Sequence, residues 1–217
     1  MGEEKKQKSS LIKDALILFA ITLIAALALG AVYEITKDPI AEAEAKAKTD
    51  AAKAVFAEMK STEEASSEAI KEAQALVDQN NKNKEFDTIT IDEILKALDE
   101  NGNKIGDIIT VTSKKGYGGQ ITVIMGITDD ETLKGIEFLS ISETPGLGMK
   151  AKDDSEDKTD DFKDQFKGVQ PGSYKLTKRN INMSGKTEID AISSATITTS
   201  AVTNIVNAGL LVAGSIK

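Results

Sequence analysis

The apolar positions divide the chain into stretches of different character. From Ala15 to Tyr33 run 19 consecutive residues without a charge, ALILFAITLIAALALGAVY. At about 1.5 Å per helical residue this nearly matches a hydrocarbon core of ~30 Å, so residues 14–33 are predicted to form a transmembrane helix. A cleaved signal peptide is the competing reading, with Ala26-Leu27-Ala28 as a small-x-small site. The uncharged run exceeds the ~7–15-residue apolar region of such signals, which favours an anchor. Beyond it, residues 34–85 predict a helical connector. Asp38-Pro39 offers a helix start with proline at its first position, and AEAEAKAKTDAAKAVFAEMK is rich in strong helix formers. Ala47, Ala51, Val55 and Met59 repeat every four residues, a narrow apolar stripe on an otherwise solvated spacer. Ser61-Thr62-Glu63-Glu64 has the spacing of a capping box and predicts a second helix through Val77. The polar run Asp78–Asp87 then reads as a linker and domain boundary.

Residues 86–217 change to an α+β pattern. Ile91–Leu98 reads as a short helix ending at Asn101-Gly102. Ile108–Thr112, Ile121–Ile127 and Leu133–Ile141 are rich in Ile, Val and Thr, as strands are, and Thr128–Thr132 suits a hairpin loop between the last two. Lys152–Gln165 holds seven acidic residues against three lysines without the glycine and ligand spacing of a calcium loop, and reads as solvated. Thr199–Val212 places Ala201, Val202, Ile205, Val206 and Gly209 at the spacing of a packed helix. The expected fold class is α+β: one N-terminal transmembrane helix, a helical connector, then a compact domain with a small antiparallel sheet.

Charge adds orientation. Lys5, Lys6, Lys8 and Lys13 precede the apolar run, so the positive-inside tendency puts residues 1–13 in the cytoplasm and the bulk of the chain outside, on a single-pass anchor in the cell membrane. Composition then removes chemistry. The 217 residues include no histidine and no cysteine. That excludes a Ser-His-Asp triad, a thiolate nucleophile, a self-held iron–sulfur cluster and histidine metal ligation. A net charge of −8 argues against nucleic acid as a partner. Arginine occurs once, at Arg179. No Rossmann glycine fingerprint is present, and the apolar span holds no charge with which to form an ion path alone.

Three short segments remain. Gly116-Tyr117-Gly118-Gly119 and Thr144-Pro145-Gly146-Leu147 are turn chemistry, the second with the proline and glycine of a type II turn. The third, DAISSATITTS (Asp190–Ser200), stands before the last helix, and six of the eight residues from Ser193 to Ser200 carry a hydroxyl. One helix cap needs one hydroxyl. A helix start also offers unpaired N–H groups and positive dipole character, which suit a phosphate.

In order along the chain, GYGG (Gly116–Gly119), SETPGLG (Ser142–Gly148), DQFKG (Asp164–Gly168) and DAISSATIT (Asp190–Thr198), behind one anchor and a TKDPIAEAEA connector, resemble a known family. It comprises the FMN-binding-domain G subunits of membrane-bound Rnf electron-transport complexes, with the C subunits of sodium-translocating NADH:quinone reductases as relatives. The connector and ETPGLGMKA lie closer to the Rnf branch. The resemblance covers nearly the whole chain. It implies FMN joined by a phosphoester to Thr196, within Ser193-Ser194-Ala195-Thr196, with Ser194 where the family usually has glycine. Asp190 matches the acidic residue of the attachment motif. A threonine hydroxyl is a poor nucleophile without a base, so the resemblance implies a separate flavin transferase that supplies FMN from FAD. It further implies Glu143, Thr144, Leu147 and Gly148 against the isoalloxazine ring, Lys150 as positive charge near the flavin, and Thr198 and Thr199 on the phosphate. Tyr117 would stack on the ring or serve as a structural tyrosine.

The implied function is a relay: an anchored flavoprotein subunit, without a complete active site of its own, within a complex that couples ferredoxin:NAD oxidoreduction to Na⁺ or H⁺ export. Its partners would be the complex's other membrane and iron–sulfur subunits. The alternatives are a quinone-reductase C subunit, a free-standing anchored extracytoplasmic flavin reductase, and a cofactor-free anchored scaffold.

Overall fold

Strong helix formers on both sides of Pro39 carry one helix through the first part of the chain. In the computed structural model, which describes residues 2–81, 88–153, 162–170, 175–177 and 188–215, α1 spans Gly2–Val55. Its segment from Ile12 onward is long and apolar enough to cross a membrane, and the apolar window is unburied. The helix start expected at Asp38-Pro39 is absent, since Pro39 lies inside α1. Proline removes one i→i−4 hydrogen bond there, and the alanine-, glutamate- and lysine-rich residues that follow continue the helix.

Contacts divide the chain within α1, into a unit that ends at Lys46 and a second that runs from Ala47 to Lys217. The second unit therefore begins about forty residues before the boundary expected at Asp78–Asp87, and residues 47–81 belong to it instead of forming a solvated spacer. Ala52, near the end of α1, and Phe56, just beyond it, are buried with Leu95, Ala97, Ile108 and Ile124. Of the expected stripe, Val55 is buried, Ala51 and Met59 are partly buried, and Ala47 is exposed. Of the expected linker, residues 78–80 extend a helix, and residues 82–87 lie outside the described residues.

The framework is a five-stranded antiparallel sheet in sequential order: β1 (Ser61–Glu64), β2 (Ile89–Leu98), β3 (Lys104–Ser113), β4 (Ile121–Thr128) and β5 (Leu133–Ser140). Two elements depart from expectation. Ile91–Leu98 is strand, not helix. A bulge between Ile91 and Glu93 in the register with β3 inserts one residue, so Ile91 and Ile94 share one face although three residues apart. Leu95 faces the opposite cluster. Apolar residues at 91, 94, 95 and 98 thus mimic helical spacing. Ser61–Glu64 is an edge strand that pairs with Leu95–Leu98, with Glu63 bonded to Lys96 at 3.0 Å. The cap of α2 (Ser67–Asn80) is Ser66, whose Oγ accepts from Ala69 N–H.

One face of the sheet is covered by α2 and by α3 (Thr196–Ala213), which begins three residues earlier than expected. Ala201, Val202, Ile205, Val206 and Gly209 of α3 are all buried, as their spacing required. The end of α1 and Phe56 cover part of the other face. Coverage on both faces explains why β3 is buried from Gly106 to Ser113 without alternation. Thr128 N–H bonds Thr132 O at 3.0 Å across the expected hairpin loop.

Two 3₁₀ turns, Gly148–Ala151 and Phe162–Phe166, complete the unit with a parallel pair, β6 (Lys175–Thr177) and β7 (Glu188–Asp190). Residues 154–161 of the acidic segment lie outside the described residues, and its end is not a solvated loop. Phe162 and Phe166 are buried there, with ring centroids 5.3 Å apart in an edge-to-face contact.

Candidate functional site

Three turns and the start of α3 meet at one cavity. The segment Thr144–Leu147 makes the expected type II turn: Leu147 N–H bonds Thr144 O at 3.1 Å, and Gly146 has φ +73°. It abuts the Gly116–Gly119 turn so closely that a Cβ on Gly118 would lie 1.9 Å from Ser142 O. Gly118 N–H donates to Glu143 Oε1 at 3.2 Å. The Glu143 carboxylate is buried at the junction of the segments. A Cβ at Gly116 would approach its Oε1 to 2.7 Å, and one at Gly148 would approach its Oε2 to 2.8 Å and Thr198 Oγ1 to 2.6 Å. Glycine at 116, 118 and 148 is therefore what lets the segments close around Glu143.

The fourth wall is the start of α3. Its cap residue Ala195 makes no side-chain capping bond. Thr199 N–H is the first to bond back, to Ala195 O at 3.0 Å, which leaves the N–H groups of the preceding turn without partners in the helix. Ser194 holds φ +64° in the turn before it, the left-handed region that glycine enters most readily. Thr199 organises that turn from behind: its buried hydroxyl donates to Ala195 O at 2.8 Å and accepts from Ile192 N–H at 3.2 Å.

The cavity has a volume of ≈ 510 Å³ and is lined by Tyr117, Glu143, Thr144, Leu147, Gly148, Ser194, Ala195, Thr196, Ile197 and Thr198. That lies within the ~300–1,000 Å³ usual for small-molecule and cofactor sites. Thr196 is exposed, so its hydroxyl is open to reaction. Tyr117, Leu147 and Ile197 are the exposed large hydrophobic residues of the second unit among the described residues, and all three line this cavity. Exposed apolar side chains gathered at one concave place mark a binding site more strongly than scattered ones.

Eight of the eleven residues singled out from the sequence thus share one cavity: Tyr117, Glu143, Thr144, Leu147, Gly148, Ala195, Thr196 and Thr198. The other three do not line it. Thr199 is fully buried and spends its hydroxyl on the turn. Ser193 is exposed in the same turn, and Lys150 is exposed on the 3₁₀ turn after Gly148. Two lining residues were not singled out, Ser194 and Ile197. Ile197 had a signal, since it stands off the buried stripe of α3.

A flavin mononucleotide suits this arrangement. The uncapped start of α3, with Thr196, Ile197 and Thr198, would hold its phosphate, and the apolar rim of Tyr117, Leu147 and Ile197 would hold its ring. Among the described residues no cluster of three or more acidic side chains is placed to hold a metal ion.

Comparison with known proteins agrees. The family described as FMN-binding domain matches residues 116–211, and the RnfG N-terminal region matches residues 1–55. The G subunit of the Na⁺-translocating ferredoxin:NAD⁺ oxidoreductase complex of Acetobacterium woodii is 29% identical over 202 residues, 92% of this chain and 90% of that protein. The corresponding protein of the proton-translocating ferredoxin:NAD⁺ oxidoreductase complex of Clostridium ljungdahlii is 35% identical over 104 residues, 48% of this chain and 51% of that protein. The crystal structure of Shewanella oneidensis NqrC is 23% identical, with a TM-score of 0.47 and coverage of 55% of this chain and 56% of that one. The chain thus joins a segment matching the RnfG N-terminal region at one end to a segment matching the FMN-binding domain around the cavity at the other, and over most of its length it is similar to a G subunit of a ferredoxin:NAD⁺ oxidoreductase complex.

Proposed function

We propose that the chain is a membrane-anchored flavoprotein subunit that relays electrons within an ion-translocating ferredoxin:NAD⁺ oxidoreductase complex, with FMN joined by a phosphoester to Thr196. The observation that carries this is the placement of Thr196: exposed, on an uncapped helix start, in the wall of the cavity that collects the unit's exposed apolar side chains. When bound, FMN exchanges one or two electrons, chemistry that needs no histidine, cysteine or metal from the protein.

The chain's own residues bind and orient. The free N–H groups and positive end of α3 favour the phosphate. Glu143 ties the Gly116–Gly119 turn to its own segment by accepting from Gly118 N–H, and Tyr117, Leu147 and Ile197 would offer the ring an apolar surface. Thr196 supplies a hydroxyl and nothing that activates it, which supports a separate flavin transferase working from FAD. The donor and acceptor of the electrons are the companion membrane and iron–sulfur subunits.

The test is a denaturing gel of the chain co-expressed with a flavin transferase, viewed under ultraviolet light. Flavin fluorescence in the wild type that disappears in Thr196→Ala supports the assignment, and a colourless wild type refutes it. The α1 segment is proposed as a single-pass anchor with the second unit outside the cytoplasm. The chain contains no cysteine, so Asn101→Cys gives one reporter on an exposed turn. Labelling of intact cells by an impermeant maleimide supports this topology, and labelling only after lysis contradicts it.

A further inference from the structure

The DQFKG segment takes no part in lining the cavity, yet one of its side chains reaches the segment that leads to Thr196. Gln165 Oε1 accepts from Asp190 N–H at 2.7 Å, and Gln165 Nε2 donates to Asp190 O at 3.3 Å. One primary amide thus takes both main-chain groups of the last residue of β7. Such a pair fixes the direction of the backbone there, because donor and acceptor must both stay in line. Gln165 is itself well placed to be rigid. Phe162 and Phe166, on either side of it in the same 3₁₀ turn, are buried in the main core. The turn's exit is tied to β5 through Gly168 N–H to Leu133 O at 2.7 Å and Leu133 N–H to Val169 O at 2.8 Å.

Asp190 does not hold this position by its own side chain, whose Oδ1 is buried without a hydrogen-bond partner. The chain then runs through a turn closed by Ala195 N–H to Ile192 O at 3.0 Å and by the Thr199 hydroxyl. Gln165 fixes the segment's start and Thr199 its end, with the left-handed Ser194 between them. Every backbone torsion between Asp190 and Thr196 affects where the Thr196 oxygen points.

We infer that Gln165 is a positioning residue: its clamp on the Asp190 backbone sets the orientation in which a flavin carried on Thr196 meets the cavity. The inference rests on the Thr196 phosphoester proposed above. It concerns how the flavin sits and not whether it is attached, because Thr196 is an exposed residue six positions beyond the clamp. Gln165 touches neither the cavity nor Thr196, so it acts only through the loop.

The test uses the full chain, co-expressed with a flavin transferase and purified in detergent, as wild type, Gln165→Met and Gln165→Glu. Methionine keeps the length and loses both bonds, whereas glutamate keeps an acceptor for Asp190 N–H and loses the donor to Asp190 O. Intact mass reports attachment, and the visible circular dichroism and midpoint potential of the flavin report its seating. The expected result is equal attachment in all three, with the dichroism of Gln165→Met reduced toward that of free FMN and its midpoint displaced. Gln165→Glu should fall between. It carries the test by itself if Gln165→Met does not fold. Full attachment with wild-type dichroism and midpoint in the variants overturns the clamp while the Thr196 assignment stands. A wild type without covalent flavin overturns both.

Discussion

Ser194 offers a sharp test of the loop geometry around the proposed attachment site. Its φ of +64° lies in the left-handed region, which disfavours side-chain-bearing residues by roughly 1–2 kcal/mol. Ser194→Gly removes that strain, but glycine also loses about 0.5–1 kcal/mol through the greater freedom of the unfolded chain. The net effect is a gain of roughly 0–1.5 kcal/mol by the same two terms. The neighbouring Ser193 is not among the residues with positive φ, so Ser193→Gly suffers only the loss. Comparing the two substitutions cancels the unfolded-state term and leaves about 1–2 kcal/mol in favour of Ser194→Gly. At ~2–4 °C per kcal/mol for a domain of this size, the two variants should differ by about 2–8 °C in Tm. Thermal melts of the full chain in detergent, followed by circular dichroism, measure this directly. Equal Tm values, or a lower Tm for Ser194→Gly, would refute the left-handed assignment and the turn built on it.

Other substitutions probe the rest of the account. Phe56 is 1% exposed and its ring fills the space over Gly106 and Gly126, so Phe56→Ala should lower stability by about 3–5 kcal/mol. A urea midpoint unchanged from wild type would mean that the end of α1 is not part of the second unit's fold. Gly118→Ala forces a methyl against Ser142 O and strains the Gly118 bond to Glu143. Its stability should fall by roughly 1–3 kcal/mol and its flavin dichroism should change, and wild-type values of both would refute the packing of the two turns. Asp107 is raised above the ordinary aspartate range, because burial outweighs the bond from Lys104. A raised acid gains folded stability as it protonates. The wild type should therefore gain on Asp107→Asn in urea midpoint as pH falls from 7 toward 4, whereas a pH-independent difference contradicts the burial.

The two ends of the chain were the most readable in sequence, because each depends on one local signal. An uncharged run long enough for a bilayer needs no tertiary context, and α3 shows its buried face at Ala201, Val202, Ile205 and Val206. Most of the cavity residues were named through the resemblance carried by GYGG, SETPGLG and DAISSATIT, whereas turn chemistry and the surplus of hydroxyls by themselves gave only two turns and a helix start suited to a phosphate. What failed depended on distant partners. β2 resembled a helix because its bulge against β3 shifts the apolar spacing, and that bulge exists only once the strands pair. Ser61–Glu64 has the letters of a helix cap, but pairing with β2 makes it an edge strand. Thr199 looked equivalent to Thr198. Only the folded turn shows one hydroxyl facing the cavity wall and the other bonded to Ile192 and Ala195. The pair of hydrogen bonds between Gln165 and Asp190 joins residues 25 positions apart and left no periodic trace.

The proposed function stands on FMN being carried on the Thr196 oxygen at the start of α3. Mass spectrometry of peptides from the chain co-expressed with a flavin transferase tests it most directly. One flavin phosphate is expected on the peptide containing Ser193–Ser200, with fragment ions that place it on Thr196. A flavin located on Thr198, Thr199 or any residue outside that segment, or a wild-type peptide without it, would refute attachment at Thr196.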